Sequence, residues 1–241
     1  MLSVIFVEFA KLRRSLALLL CVAAPTMVAL LAAVMMMEWK KTEHWQTFAM
    51  QSAAMWSFFM LPMTVTALTV LVAQIDHGPK AWNHLLALPI PRWRFHAAKA
   101  LVVASLVAGM SAGLLLLLPL AGAAAEAIAP GRQLSGSFPW RDTASLLATM
   151  FAGSLLLIAI QLWAALRFRS FVPPLVLGIG GTFVAVAATA SKQGAFFPWL
   201  IPTNALATDP DRAAMAIDIG FYCGLAVALL MVIDVSRKEV L

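Results

Sequence analysis

Three histidines, His77, His84 and His96, stand in one polar stretch between two long apolar runs. His77 and His84 are seven residues apart and would share one face of a helix. Zinc sites are commonly built from four ligands at tight spacing, with thiolates or carboxylates among them. Here only Asp76 is at hand, so contact with a partner or with lipid headgroups is the better reading and no metal is expected. A second pattern, Gly109-Met110-Ser111-Ala112-Gly113, matches the Gly-x-Ser-x-Gly of a nucleophile elbow. That motif needs a sharp strand-to-helix turn. This one lies in the middle of an apolar run, and His44, His77, His84 and His96 all fall outside such runs. No catalytic residue is expected.

The sequence contains no Gly-x-x-x-x-Gly-Lys-Ser/Thr loop to cradle phosphates, so no nucleotide cofactor is expected on this chain itself. Ion-coupled carriers keep ionisable groups inside their spans. Here these reduce to Asp218, near the outer end of the last apolar run, and Asp234 at its inner end. An ion-coupled secondary transporter is therefore disfavoured, and uphill transport would draw its energy from elsewhere. What the runs do carry is small residues at helical spacing. Ser105, Gly109 and Gly113 recur every four residues, and Gly220 and Gly224 form a similar pair. Such spacing predicts close helix packing.

The segment 74–99 is the most distinctive. It is basic, and Pro79 can open a short helix where a missing N–H costs nothing. Pro89 and Pro91 stop that helix about ten residues on, by lacking a donor and clashing with the preceding turn. Between them Ala81, Trp82, Leu85 and Leu86 gather on one side, while Lys80, Asn83 and His84 lie elsewhere. A helix this short is marginal alone in water. Its apolar anchor suits docking to a cytosolic partner.

Those elements must be positioned by a membrane protein. The 241-residue chain is 62% hydrophobic and 12% charged, against about 25% charged in soluble domains. Six runs are long enough to cross a bilayer as helices, near 16–37, 50–73, 100–120, 145–166, 171–190 and 213–235. The fold class is all-α, a single polytopic domain over 1–241. Pro25 and Pro62 should kink their spans, and Cys21 and Cys223 lie in apolar runs that indicate no disulfide framework.

The net charge of +6 is an orientation signal rather than a nucleic-acid footprint. Lys11, Arg13, Arg14, Lys80, Arg92, Arg94, Lys99, Arg167, Arg169, Arg237 and Lys238 fall on one side of the six spans. Lys40, Lys41, Arg132, Arg141, Lys192 and Arg212 fall on the other, where most acidic residues also lie. The positive-inside rule then places both termini in the cytoplasm. Trp39, Trp45, Trp93, Trp140, Trp163 and Trp199 all stand near span ends, as an aromatic belt requires.

Residues 1–15 are too polar to span. Leu2, Ile5, Phe6, Phe9 and Leu12 share one helical face, and Glu8, Lys11 and Arg14 the other. A helix lying in the cytoplasmic interface is expected, its basic side toward headgroups or a partner. A cleaved signal peptide would have an apolar core of only about 7–15 residues, so retention is favoured. The loop 126–142 reads as surface. The apolar stretch 191–212, with Phe196, Phe197, Trp199 and Ile201, is too short to cross and is expected to dip into the outer interface.

The succession Asp76, His77, Trp82, residues 85–89 reading Leu-Leu-Ala-Leu-Pro, Arg92 and Lys99 resembles the type-2 ABC exporter permeases. The six-span subunits of bacitracin-resistance and lantibiotic self-immunity exporters are the most similar subgroup. Many relatives carry Glu at the position of Asp76 and a small residue at that of Pro79. The resemblance implies a half-transporter in a bacterial plasma membrane, paired with a second six-span permease. Two cytosolic ABC ATPase subunits would bind the ATP and dock on 76–88, through Asp76, His77, Lys80, Trp82, Leu85, Leu86 and Arg92, and on the N-terminal helix. The segment before the sixth span would roof the translocation path. The cargo would be amphipathic or lipophilic, with antimicrobial peptides among the candidates. The alternative is a membrane-embedded sensor or assembly subunit that moves no cargo.

Overall fold

The computed structural model describes residues 1–38, 43–77, 91–129 and 133–237. A short helix α1 (Leu2–Lys11) precedes α2 (Leu16–Met37). Between them Arg14 takes a left-handed φ of 65°, a conformation that stops a helix of L-residues and lets the chain turn into the bundle. A two-residue strand β1 (Glu43–His44) leads into α3 (Trp45–Met55), a π-helical turn (Trp56–Met60) and α4 (Leu61–His77). Helix α5 runs over Arg92–Ile128, strand β2 over Leu134–Ser135, α6 over Trp140–Arg167 and α7 over Val172–Ala188. Two 3-10 turns (Lys192–Phe196 and Ile201–Leu206) separate α7 from the last span. That span comprises α8 (Pro210–Asp218), a second π-helical turn (Ile219–Cys223) and α9 (Gly224–Arg237).

Five helical stretches are long and apolar enough to cross a membrane: Leu16–Met37, Trp45–Ile75, Arg92–Ile128, Trp140–Arg167 and Pro210–Arg237. Helix α7 is apolar but has 17 residues, the lower end of what a span requires. The helices outrun the apolar runs. α5 starts at Arg92 rather than near 100 and persists to Ile128, so much of the expected loop 74–99 and the start of 126–142 is helical. Regular helix satisfies backbone groups on either side of the apolar band as well as within it.

The π-helical turn before Pro62 has a local cause. Proline cannot donate to the carbonyl four residues back, and its ring crowds that carbonyl. Widening the preceding turn relieves both. Inside the spans several hydroxyls fold back on their own helices. Thr66 donates to the Pro62 carbonyl at 2.8 Å, Thr69 to Val65 at 2.9 Å and Thr182 to Gly178 at 2.8 Å, so none needs water.

Helices α5 and α6 form the centre. α2 packs along α5, while α4, α7 and the last span pack on α6. The core they enclose includes Val28, Leu68, Val103, Leu114, Met150 and Leu157. One end of the bundle, the α1 end, gathers the starts of α2 and α5 and the last turns of α4, α6 and α9. The opposite, hairpin end carries the parallel pair β1–β2, registered Glu43 with Leu134 and His44 with Ser135. There the Leu134 N–H donates to the Glu126 carboxylate at 2.6 Å. Trp45 stands edge-on to Phe48 and Phe138 at 5.8 and 5.6 Å.

The segment 191–212 departs from expectation. Ala195, Trp199, Leu200, Ile201 and Pro202 are buried in protein while Phe196 stays 55% exposed, so most of its apolar content fills the bundle. Trp199 is accordingly not a belt residue. It stacks on Phe197 at 5.4 Å, and a side chain on Gly181 of α7 would collide with its ring.

Candidate functional site

Of the charges expected to face headgroups or a partner, Glu8 and Lys11 are turned toward the protein and Arg14 stays exposed. Glu8 and Lys99, the latter in the second turn of α5, are only 4% and 3% exposed, and the Lys99 Nζ donates to Glu8 Oε2 at 2.9 Å. Lys11 Nζ reaches Glu8 Oε1 at 2.5 Å. Leu2, Phe6 and Val7 point outward, at 84%, 75% and 50% exposed. The physical reason is that a carboxylate facing lipid would be far costlier than one held by two ammonium groups. α1 therefore exposes Leu2, Phe6 and Phe9, buries Val4 and Leu12, and turns Glu8 to α5. His96, one turn before Lys99, is buried at the same seam.

Two further polar ties close this end. The Trp163 indole N–H of α6 donates to Asp234 of α9 at 2.9 Å, and Arg167 pairs with the same carboxylate at 3.2 Å. The Gln74 amide of α4 donates to the Arg169 carbonyl at 3.3 Å. Deeper in, the fully buried Gln161 side chain of α6 meets the Thr66 hydroxyl at 3.2 Å. In the orientation that suits both ends of its amide, it also accepts from Gly178 N–H at 3.0 Å and donates to the Pro174 carbonyl at 3.3 Å. Helices α4, α6 and α7 thus share one hydrogen-bonded junction.

Of the docking residues expected from sequence, Asp76 and His77 end α4 and Arg92 opens α5 as an exposed residue. Lys80, Trp82, Leu85 and Leu86 lie outside the described residues, as does His84. Ser111 of the Gly-x-Ser-x-Gly pattern is buried within continuous helix, which has no strand-to-helix turn to raise a nucleophile.

The small-residue stripe of α5 makes no tight backbone approach to another helix among the described residues. Ser105 is exposed and its hydroxyl donates to the Leu101 carbonyl at 2.7 Å. A Cβ on Gly109 would meet nothing within 4 Å, and on Gly113 only Pro25 Cγ at 3.8 Å. The close approaches are elsewhere. A Cβ on Gly220 would lie 2.7 Å from Gly153 Cα and press on its carbonyl, and one on Gly224 would lie 2.6 Å from the Leu156 nitrogen. Gly178, against Thr66 and Gln161, and Gly122, against Trp45, are equally confined. Sequence reasoning missed Gly122, which has Leu118 and Glu126 at four-residue spacing, and Gly178, whose four-residue partner is Thr182 rather than a second glycine. It also missed the pairing of Glu8 with Lys99, 91 residues apart. The usable signal was a lone Glu on an otherwise apolar and basic helix.

A bundle with five helical stretches long and apolar enough to cross a membrane defines a multi-pass membrane protein. Residues 4–185 match the family described as ABC-2 family transporter protein, and the chain belongs to that family. No curated protein and no solved structure matches it. Membership makes the chain the membrane permease of an ABC transporter and implies an ABC ATPase partner.

Proposed function

We propose that this chain is the permease half of an exporter, with both termini in the cytoplasm of a bacterial cell and six spans, α7 being the fifth. It pairs with a second six-span permease and moves an amphipathic or lipophilic cargo outward, with antimicrobial peptides among the candidates by resemblance. The ATPases dock on 76–88 through Asp76, His77, Lys80, Trp82, Leu85, Leu86 and Arg92, and on α1.

The observation that carries this reading is the buried Glu8–Lys99 pair. It ties α1 to the helix that leaves the docking segment, so a push on either is felt by α5 as one body. A buried pair is a weak source of net stability but is strongly unfavourable to break from one side. That asymmetry suits a joint that must transmit force without slipping.

Trp82→Ala tests the docking. An aromatic anchor of this kind can contribute about 2 kcal/mol or more at an interface. The variant should insert normally, recover less ATPase on purification and lose coupling of hydrolysis to export. Unchanged recovery and export in the same membranes would remove the docking role from this segment and favour a subunit that moves no cargo.

A further inference from the structure

The last span carries a carboxylate that faces outward at the middle of the bundle. Gly220 and Gly224 seat that span on α6, where a Cβ on the first would lie 2.7 Å from Gly153 Cα and one on the second 2.6 Å from the Leu156 nitrogen. Gly153 stands halfway along the 28-residue α6. A helix of that length outruns the roughly 30 Å of hydrocarbon at both ends, so its middle lies inside the apolar band. At about 1.5 Å per residue, Asp218 and Tyr222 lie about 3 Å to either side of that level. Both point away from the bundle. Ala216, Gly220 and Gly224 form the buried face of the span. Opposite them Asp218 is exposed, and Met215, Tyr222, Leu225 and Leu229 are 42%, 66%, 52% and 62% exposed. Neither the Asp218 carboxylate nor the Tyr222 hydroxyl has a hydrogen-bond partner among the described residues. The Tyr222 ring stands edge-on to Phe221 at 5.3 Å.

We infer that this face docks a membrane helix of another protein that carries Lys or Arg near mid-bilayer, its basic side chain bonding Asp218 and Tyr222 together. Hydrocarbon tails supply neither a counter-charge nor a donor, and a carboxylate at that depth is costly unless it is paired. The complement of a carboxylate is a cation. An ammonium or guanidinium group carries several N–H donors and no acceptor, and the carboxylate and the phenol oxygen can both accept from it. Their four-residue spacing puts the two acceptors on one face, about a turn apart, within reach of a single basic side chain. A second copy of this chain does not supply that group, because none of the described Lys and Arg residues lies in the middle of a span. The shape agrees. An outward ridge flanked by Met215, Leu225 and Leu229 packs against another helix, whereas small-molecule sites are concave. The inference goes beyond the export reading, since it names a membrane partner and gives that partner no part in moving cargo.

The test places the full chain, with a donor dye at its C-terminus, in phosphatidylcholine vesicles. The probe is a synthetic helix of about 24 Leu and Ala residues, long enough to span, with one central Lys and an acceptor dye. Energy transfer should report its binding. The same helix with a central Leu or Glu should bind roughly tenfold more weakly, the factor that about 1.4 kcal/mol supplies. Asp218→Asn should reduce the Lys helix to the level of the Leu helix, and Tyr222→Phe should weaken it part of the way. Asp218→Lys should transfer the preference to the Glu helix, a gain that damage to the fold would not produce. Equal binding of the Lys and Leu helices, or binding of the Lys helix insensitive to Asp218→Asn, would overturn the proposal. So would a disulfide between two copies formed by Leu225→Cys in a Cys21→Ser, Cys223→Ser background, because a second permease would then cover the face. Displacement of the Lys helix by an equal amount of dodecylamine would also overturn it, by making the site one for a small amine. No ATPase and no export enter the readout, so a failure here leaves the permease reading standing.

Discussion

The two ends of this bundle are held together by different chemistry. At the α1 end the contacts between helices are charges and amides: Glu8 with Lys99 and Lys11, Asp234 with Trp163 and Arg167, and Gln74 with the Arg169 carbonyl. Toward the hairpin end, beyond the β1–β2 pair and the Glu126 bond to Leu134, they are surfaces. Gly220 lies on the backbone of Gly153, Trp199 fills the space over Gly181, and Trp45 fits between Gly122 and Phe138. Ionic contacts are few, directional and expensive to break singly. Glycine seats are many-atom contacts that tolerate no added methyl group. The difference teaches where motion is compatible with each. An end tied at a few polar points can hinge as units, whereas an end that interlocks by shape moves only as a block.

The sharpest test of the comparison concerns which end faces the cytosol, because its outcome is all or none. A reporter active only outside the cytosol should be silent when fused after Lys238 and active when inserted within 131–137. The reverse pattern would place the charged end outside and remove any ATPase from it.

Breaking the charged end from one side should give the largest graded effect. Glu8→Leu removes the carboxylate that both Nζ atoms contact, and one-sided loss of a buried pair costs about 3–5 kcal/mol. Thermal unfolding in detergent should show it as a clearly lower Tm. Arg167→Ala, at a pair 42% and 34% exposed, should cost no more than about 1 kcal/mol. Similar losses for the two would mean that burial does not distinguish the ties at this end.

At the shape-fitted end, Gly220→Leu must displace backbone. Overpacking of this kind costs about 1–3 kcal/mol and occasionally more, read as reduced folded yield and earlier unfolding. Gly109→Leu provides the contrast, since nothing lies within 4 Å of its added Cβ. The purified single subunit should tolerate it. If it instead disrupts the dimer alone, the exposed Ser105–Gly109 face of α5 carries the second permease.

The smallest expected effect is at Asp218, which lies on the exposed side of α8 rather than in the packed interior. Asp218→Asn keeps the shape and removes the charge, and export driven by a partner's ATP should persist. Loss of export at normal protein level would restore the ion-coupled alternative.

Much of the architecture was legible because lipid imposes simple rules. Long apolar runs must be helices, and Pro62 had to disturb its span, which it does through a π-helical turn. Lys and Arg sort by side because crossing is costly for them. The span boundaries were less legible, since helix continues past the apolar band wherever nothing stops it, as in α5 from Arg92 to Ile128. In α1, Leu2, Phe6 and Phe9 are exposed as one apolar face, but Leu12 of the same face is buried and Glu8 of the other turns to Lys99. Hydrophobic periodicity gives two faces but does not say which one meets protein, and the answer depended on Lys99, far away in the chain.

Glycine shows the same division. The spacing of Ser105, Gly109 and Gly113 identifies a smooth helix face, but closeness is a property of two surfaces. Only the fold brings Gly220 onto Gly153 and leaves Gly109 open. Composition and period by themselves determined that this chain is a helical membrane protein with a basic side, because those depend on each residue's own transfer energy between water and lipid. Which charges pair and which glycines touch were decided by tertiary structure, because each depends on residues that only the packed bundle brings within a few ångströms.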